Sequence, residues 1–218
     1  VLFRKVIRVD AGIDSPLDCT KKIKAILAAN LQFVGRYYRS KKSKWAPLTA
    51  SEAQALSNAG LSLVALWEYA SDGAKYFSYT AGVNDSTTAY QEAMLAGQPA
   101  RTPIYFAVDY DAAPEEVSGC INDYFAGIAA GYQAIGRGNS AYDIGVYGSG
   151  LTCGWLLNHH SVTKTWLAVS SGWAGSKTFA KWNIKQGIGL SSLNFGNDSD
   201  IATPNYGAWQ LHNSAPTA

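Results

Sequence analysis

Apolar residues along this chain recur in two rhythms. Short runs alternate with a period of two, as strands do, and between them the apolar positions fall three and four apart, as on one face of a helix. The clearest short run is PIYFAVDYD at residues 103–111. Ile104, Phe106, Val108 and Tyr110 make one large apolar row, and Tyr105, Ala107, Asp109 and Asp111 make a second that ends in two acids. The pattern predicts a strand buried on both faces with carboxylates at its exit. Further strands are predicted over residues 5–14, 33–39, 61–69, 143–147, 165–170 and 179–186, with a short, weakly signalled eighth around 198–202. Helices are predicted over residues 21–30, where Ile23, Ile26 and Leu27 have helical spacing, and from a capping box at Thr49 and Glu52 to Asn58, closed by Gly60. A second box, Thr88 and Gln91, opens a helix through Leu95 that Gly97 and Pro99 end. Residues 115–135 form a long amphipathic helix and 152–159 a short one.

About eight strand-helix units in series predict an α/β chain folded as a single (β/α)8 TIM-type barrel over residues 1–218. The last third has sparse helix signals, so irregularity is expected there. An open doubly wound sheet shares this rhythm, but no G-x-G-x-x-G follows the first strand, and Gly148-Ser149-Gly150 is only a strand-to-helix turn without a P-loop Lys.

Composition narrows the partners. With 218 residues, 47% of them hydrophobic, the chain can bury a core of this size. A net charge of +2 comes from scattered Lys and Arg, and the densest run, Lys41, Lys42 and Lys44, reads as a solvated loop, so nucleic acid is not an expected partner. No apolar run approaches the roughly 20 residues that span a bilayer. The opening VLFRKVIRVD holds no signal-like apolar region or cleavage site, and without an initiating Met a removed leader stays open. Cys19, Cys120 and Cys153 are odd in number and widely spaced, which speaks against a zinc site and a disulfide framework. Nothing in the chain calls for a metal or another cofactor, and oligomeric state is not encoded in any pattern.

In such a barrel the chemistry sits where strands run into their following loops. Those positions hold Asp14 after the first strand, Glu68 after the third, Asp109 and Asp111 after the fourth, Tyr147 after the fifth, and Asp198 or Asp200 after the eighth. Asp109 and Asp111 would stand about 6.6 Å apart on one side of a strand. At that spacing they titrate as a pair or bind a cation; the plainer alternative makes Asp111 a turn acid or cap before Pro114. Arg36 would project into the same space and offset the acids' repulsion. Trp67, Tyr69, Trp173 and Trp182, with Tyr147 and Trp209 nearby, would supply flat apolar faces with a polar edge, which suit sugar rings. Carboxylates in an aromatic cleft point to glycoside hydrolysis, in which one carboxyl keeps its proton while another is ionised. His159, His160 and His212 read as surface residues, which weakens a metal-dependent alternative, and Ser149 lacks a full nucleophile elbow.

The ordered runs GID at 12–14, GRYY at 35–38, LTASEAQAL at 48–56, AGLSLVALWE at 59–68, TPIYFAVDYD at 102–111 and GVYGS at 145–149 cover nearly the whole chain. Together they resemble the glycoside-hydrolase-like domain family long catalogued as a domain of unknown function, which in turn is similar to the family-25 lysozymes. The resemblance implies a β/α barrel, a peptidoglycan or related cell-wall polysaccharide as substrate, and a secreted or cell-envelope location. It matches Asp14 to the acid ending the lysozymes' first strand, Asp109 to the first acid of their D-x-E, and Asp198 to the acid of their last strand. Asp111 stands where their proton-donating glutamate does, one methylene shorter. Glu68 would supply the longer reach. Two readings follow: a glycosidase with Glu68 or Asp111 as acid and Asp109 or Asp14 as base or electrostatic partner, and a glycan-binding domain that keeps the cleft without efficient chemistry.

Overall fold

The structure, a computed structural model, describes residues 9–136 and 142–211. Eight strands close into a barrel in chain order: β1 (Asp10–Asp14), β2 (Phe33–Tyr38), β3 (Ser62–Trp67), β4 (Pro103–Ala107), β5 (Asp143–Gly148), β6 (Lys164–Leu167), β7 (Ile184–Gly187) and β8 (Asp198–Ala202). Outside them lie α1 (Ile23–Ala28), α2 (Ala50–Asn58), α3 (Tyr79–Ala96), α4 (Pro114–Glu116), α5 (Asn122–Gly136) and α6 (Gly150–Asn158).

The regular repeat breaks after β6. Residues 168–183 reach β7 without a helix, only a short 3-10 turn separates β7 from β8, and β8 runs antiparallel to both neighbours. A mixed α/β closed barrel results, in which no α-helix among the described residues follows β6, and Ile201 of β8 is exposed. Reversal of β8 also changes which of its ends meets the C-terminal rim of the other strands. Asp198 pairs with Asp14 at that rim because it begins β8, not because it follows it, as the expected parallel order required. The part of the first predicted strand before residue 9 lies outside the described residues.

Two buried layers follow from period-two alternation. Ile13, Val34, Leu63, Ala65, Ile104, Phe106 and Val146 point outward to the helices, whereas Phe33, Tyr37, Val64, Leu66, Tyr105, Ala107, Tyr147 and Trp166 fill the barrel. Glycines make room for the aromatic fillers. A Cβ on Gly12 would lie 2.5 Å from the Phe33 ring, one on Gly35 2.7 Å from Trp166, and one on Gly145 2.7 Å from Tyr105. Phe33 is wedged in a closed barrel and cannot swing away, so Gly12→Ala is expected to cost about 1–3 kcal/mol by overpacking, read as a lower urea midpoint with an unchanged slope. At the N-terminal end Tyr206 plugs the barrel: it packs on Phe33 at 4.8 Å between centroids, and its carbonyl accepts from the Tyr105 hydroxyl at 2.8 Å. The clustered acids line a cleft at the opposite end.

The helix signals held unequally. Thr49 caps α2 by accepting from the Glu52 N–H at 3.2 Å, and Gly60 follows it with φ of 82°. Thr88 starts no helix: α3 begins at Tyr79 under a Ser78 cap, and the Thr88 hydroxyl donates to the Asn84 carbonyl within it. A Thr in mid-helix can satisfy its hydroxyl on the preceding turn, so T-x-x-Q is ambiguous in sequence.

Candidate active site

The open rim gathers side chains from β1, β2, β3, β5, β7 and β8. Asp14, Tyr37, Arg39, Trp45, Glu68, Asn197 and Asp198 line a cleft of about 380 Å³. Asp14 is its most constrained acid. One carboxylate oxygen accepts from the Tyr37 hydroxyl at 2.5 Å and the other from the Gln186 amide at 2.9 Å. The same Gln186 nitrogen reaches Asp198 at 3.5 Å, while its carbonyl oxygen accepts from the Tyr147 hydroxyl at 2.8 Å. Gln186 therefore ties three strands and fixes the relative placement of two acids. Beneath them Asp200, buried, accepts from the Trp166 indole at 2.9 Å and stands against Asp14.

Burial governs the protonation of these groups. It raises Asp14 to about 6, against the Tyr37 and Gln186 hydrogen bonds, with Asp198 adding to the rise. It raises Glu68 to about 7, opposed by the Arg39 charge and aided by Asp109 and Asp14. Asp109 is raised by burial and by Asp72 and Asp198, and Asp198 by burial. Asp200 is held well above the usual carboxylate range by burial and by Asp14. An acid with a raised folded pKa binds its proton more tightly folded than unfolded. Stability is then greatest below the unfolded values and declines as pH climbs from 3.8 through about 6 for Asp14 and from 4.5 through about 7 for Glu68. The urea midpoint is expected to fall between about pH 4.5 and about pH 7.5, and Glu68→Gln to flatten the upper part of that fall. A midpoint that rises over this window would contradict the assignment.

The predicted residues separate by their position along each strand. Asp14, Glu68 and Asp198 line the cleft, and Asp109, whose N–H donates to the Ser71 carbonyl at 2.8 Å, lies close enough for its charge to raise Glu68 and Tyr147. Tyr147 stands inside the barrel, and Trp173 packs against that interior cluster. Asp111 is exposed and accepts from the Ala174 N–H at 2.7 Å, which fastens the loop after β4 to the loop after β6. It caps no helix; α4 has Ala113 at its cap.

Three substrate-binding expectations are corrected. Arg36 points outward and is fully buried against Glu52 of α2, at 2.7 Å. Trp67 belongs to the outer layer because it shares the row of Leu63 and Ala65, the row opposite Glu68. Trp182 precedes β7 and therefore sits at the far end of the barrel. Tyr69 leans toward Tyr76, 6.4 Å between centroids, over the loop after β3. Tyr37, Gln186, Arg39 and Trp45 were not singled out as site residues from the sequence. Tyr37 shares the inward row of Gly35, and Gln186 is a polar residue two positions from inward Ile184, so alternation carried a signal for both. Cys19 and Cys153 are buried, with burial raising Cys19 to about 12, the setting of unreactive thiols. His212 lies outside the described residues.

Comparison with known proteins agrees with the barrel fold. The family model described as Rv2525c-like, glycoside hydrolase-like domain matches residues 24–214. Two uncharacterized proteins of Bacillus subtilis are similar: YbfG is 34% identical over 47% of this chain and 14% of its own length, and FadG 25% identical over 83% and 31%. The chain thus spans less than a third of either relative. Among solved structures, the Tat-secreted protein Rv2525c of Mycobacterium tuberculosis in complex with HEPES superposes with a TM-score of 0.74 at 23% identity, covering 92% of this chain and 98% of that one. A muramidase from Trichobolus zukalii superposes with a TM-score of 0.54 at 14% identity, covering 88% and 92%. No helix among the described residues is long and apolar enough to cross a membrane.

Proposed function

We propose, because the chain belongs to the Rv2525c-like glycoside hydrolase-like domain family, that its acidic cleft hydrolyses O-glycosyl bonds in peptidoglycan or a related cell-wall polysaccharide, at or beyond the cell envelope. The observation that carries this reading is Glu68: burial holds it near 7 in the cleft that also holds Asp14 and Asp198. Such a carboxyl keeps its proton at mildly acidic pH and can donate it to a departing glycosidic oxygen. Asp109 and Asp198, near enough for the charge of Asp198 to raise Asp109, would supply the negative charge that an oxocarbenium-like transition state needs. Asp14 would be held for substrate contact by Tyr37 and Gln186. Tyr147 and Trp173 would flank the sugar.

A second reading, a glycan-binding domain without turnover, is favoured by Asp111. It is shorter than a glutamate and engaged with the Ala174 backbone, so it offers no ready proton donor at the fourth strand. Release of reducing ends from purified peptidoglycan and a panel of other glycans, by the native chain and by Asp109→Asn side by side, separates the two. Turnover that the substitution abolishes supports the hydrolase. Retained glycan binding with no turnover in either form supports the binding domain.

A further inference from the structure

Arg39 occupies an unusual position for a cation. It follows β2 directly, is only 8% exposed, and lines the same cleft as Asp14 and Glu68. Its guanidinium lies over the Tyr37 ring, with Cζ 4.3 Å from the centroid, and its backbone N–H is fixed by donating to Glu92 at 2.8 Å. Yet the side chain is poorly satisfied. One Nη donates to the Glu68 carbonyl at 3.4 Å, the buried Nε–H has no acceptor, and among the described residues the ion pair belongs to Arg36 and Glu52, not to Arg39. A largely buried guanidinium with no acceptor for Nε and no carboxylate in salt-bridge contact costs the fold stability, and a ligand anion in the cleft would offset its charge.

Trp45 supplies the other half. It is 51% exposed although it is a large aromatic, and it lines the cleft with Arg39. Its loop also carries exposed Lys41, Lys42 and Lys44, which add positive charge on the Trp45 side. A sugar that stacks one face on the indole would turn an acidic substituent toward the arginine, where it accepts a charge-assisted hydrogen bond from the guanidinium. An arginine rather than a lysine suits that planar acceptor.

We propose that Arg39 and Trp45 form a subsite for a sugar bearing a free carboxylate, an inference that rests on the glycan cleft described above. The subsite selects acidic glycans over neutral ones of the same backbone. It also favours an unblocked acid over one capped as an ester or amide, so within peptidoglycan it takes strands whose lactyl groups carry no stem peptide.

The test uses a tetrasaccharide of alternating N-acetylglucosamine and N-acetylmuramic acid with free lactyl carboxylates, thio-linked so that it is not turned over, and its methyl ester. Calorimetric titration of the native chain is expected to show the acid binding about tenfold more tightly than the ester, the scale of one charge-assisted hydrogen bond. Arg39→Gln is expected to abolish that ratio, with the acid losing more affinity than the ester, and Trp45→Ala to weaken both ligands alike. Equal affinities for acid and ester on the native chain would overturn the subsite while leaving the glycan cleft standing, and this comparison needs no variant to fold. A preference that survives in Arg39→Gln would also overturn it. Binding of neither ligand would overturn the subsite and the glycan reading together.

Discussion

Glu52→Ala is expected to destabilise the chain by about 3–5 kcal/mol, more than any other substitution considered, although Glu52 is far from the cleft mouth. The Glu52 carboxylate is 1% exposed and accepts from Arg36 through Nε at 2.7 Å and Nη2 at 3.1 Å, and from the Cys19 N–H at 2.8 Å. Arg36 spends its remaining Nη1 on the Ser15 carbonyl at 2.8 Å. This pair clamps α2 and the loop after β1 onto the outer face of β2. Removing the carboxylate leaves an unpaired guanidinium with no exposure at all and frees the Cys19 N–H. Thermal unfolding should fall by roughly 6–20 °C, taking about 2–4 °C per kcal/mol for a chain of this size. Glu52→Gln, which keeps hydrogen-bond acceptance but not charge, should lie between. The double change Arg36→Met with Glu52→Leu should recover much of the loss, because the pair's desolvation cost disappears with it. A fall of under 1 kcal/mol for Glu52→Ala would show that water reaches the site.

That clamp shows where reading the chain succeeded and where it stopped. The strand PIYFAVDYD announced itself through alternation, and its second row led to Asp109 as a rim acid. Alternation also separates Glu68 from its neighbour Trp67. Val64, Leu66 and Glu68 share the inward row, so placing Trp67 on the same rim conflicted with period two. Arg36 failed for the same reason, since Phe33, Gly35 and Tyr37 already fill the inward row of β2. Thr49 and Glu52 were legible as a helix start, but a capping box and a buried ion pair use the same glutamate, and only tertiary packing chose the second.

Other features had no local signal. Asp198 lies at the rim only because β8 is antiparallel, and the strand of five residues carries no mark of its direction. Trp182 was placed by a strand predicted over residues 179–186; the strand begins at Ile184, which drops the indole to the opposite end. Gln186 links residues far apart in sequence, Asp14, Tyr147 and Asp198, so its role exists only after the barrel closes.

The decisive chemical prediction concerns the proton on Glu68. If Glu68 is the acid of a glycosidase, Glu68→Gln is expected to lower kcat by about 10²–10⁴ on a polysaccharide, the range for loss of general acid catalysis, with little change in binding. Glutamine keeps the shape and the hydrogen-bonding edge but has no proton of suitable acidity. The native pH profile should decline above about pH 7, where Glu68 loses its proton. Its acidic limb should reflect Asp109 and Asp198, both raised above the ordinary carboxylate range, which must be ionised to stabilise positive charge on the sugar. An aryl glycoside with a strongly acidic leaving phenol needs no donated proton. On such a substrate Glu68→Gln should retain most of its activity, whereas Asp109→Asn should stay impaired, because charge stabilisation is required whatever leaves. A Glu68→Gln chain that hydrolyses peptidoglycan at the native rate would remove Glu68 from the chemistry and return the role of acid to Asp111. That side chain would then have to release the Ala174 N–H before it could reach a substrate.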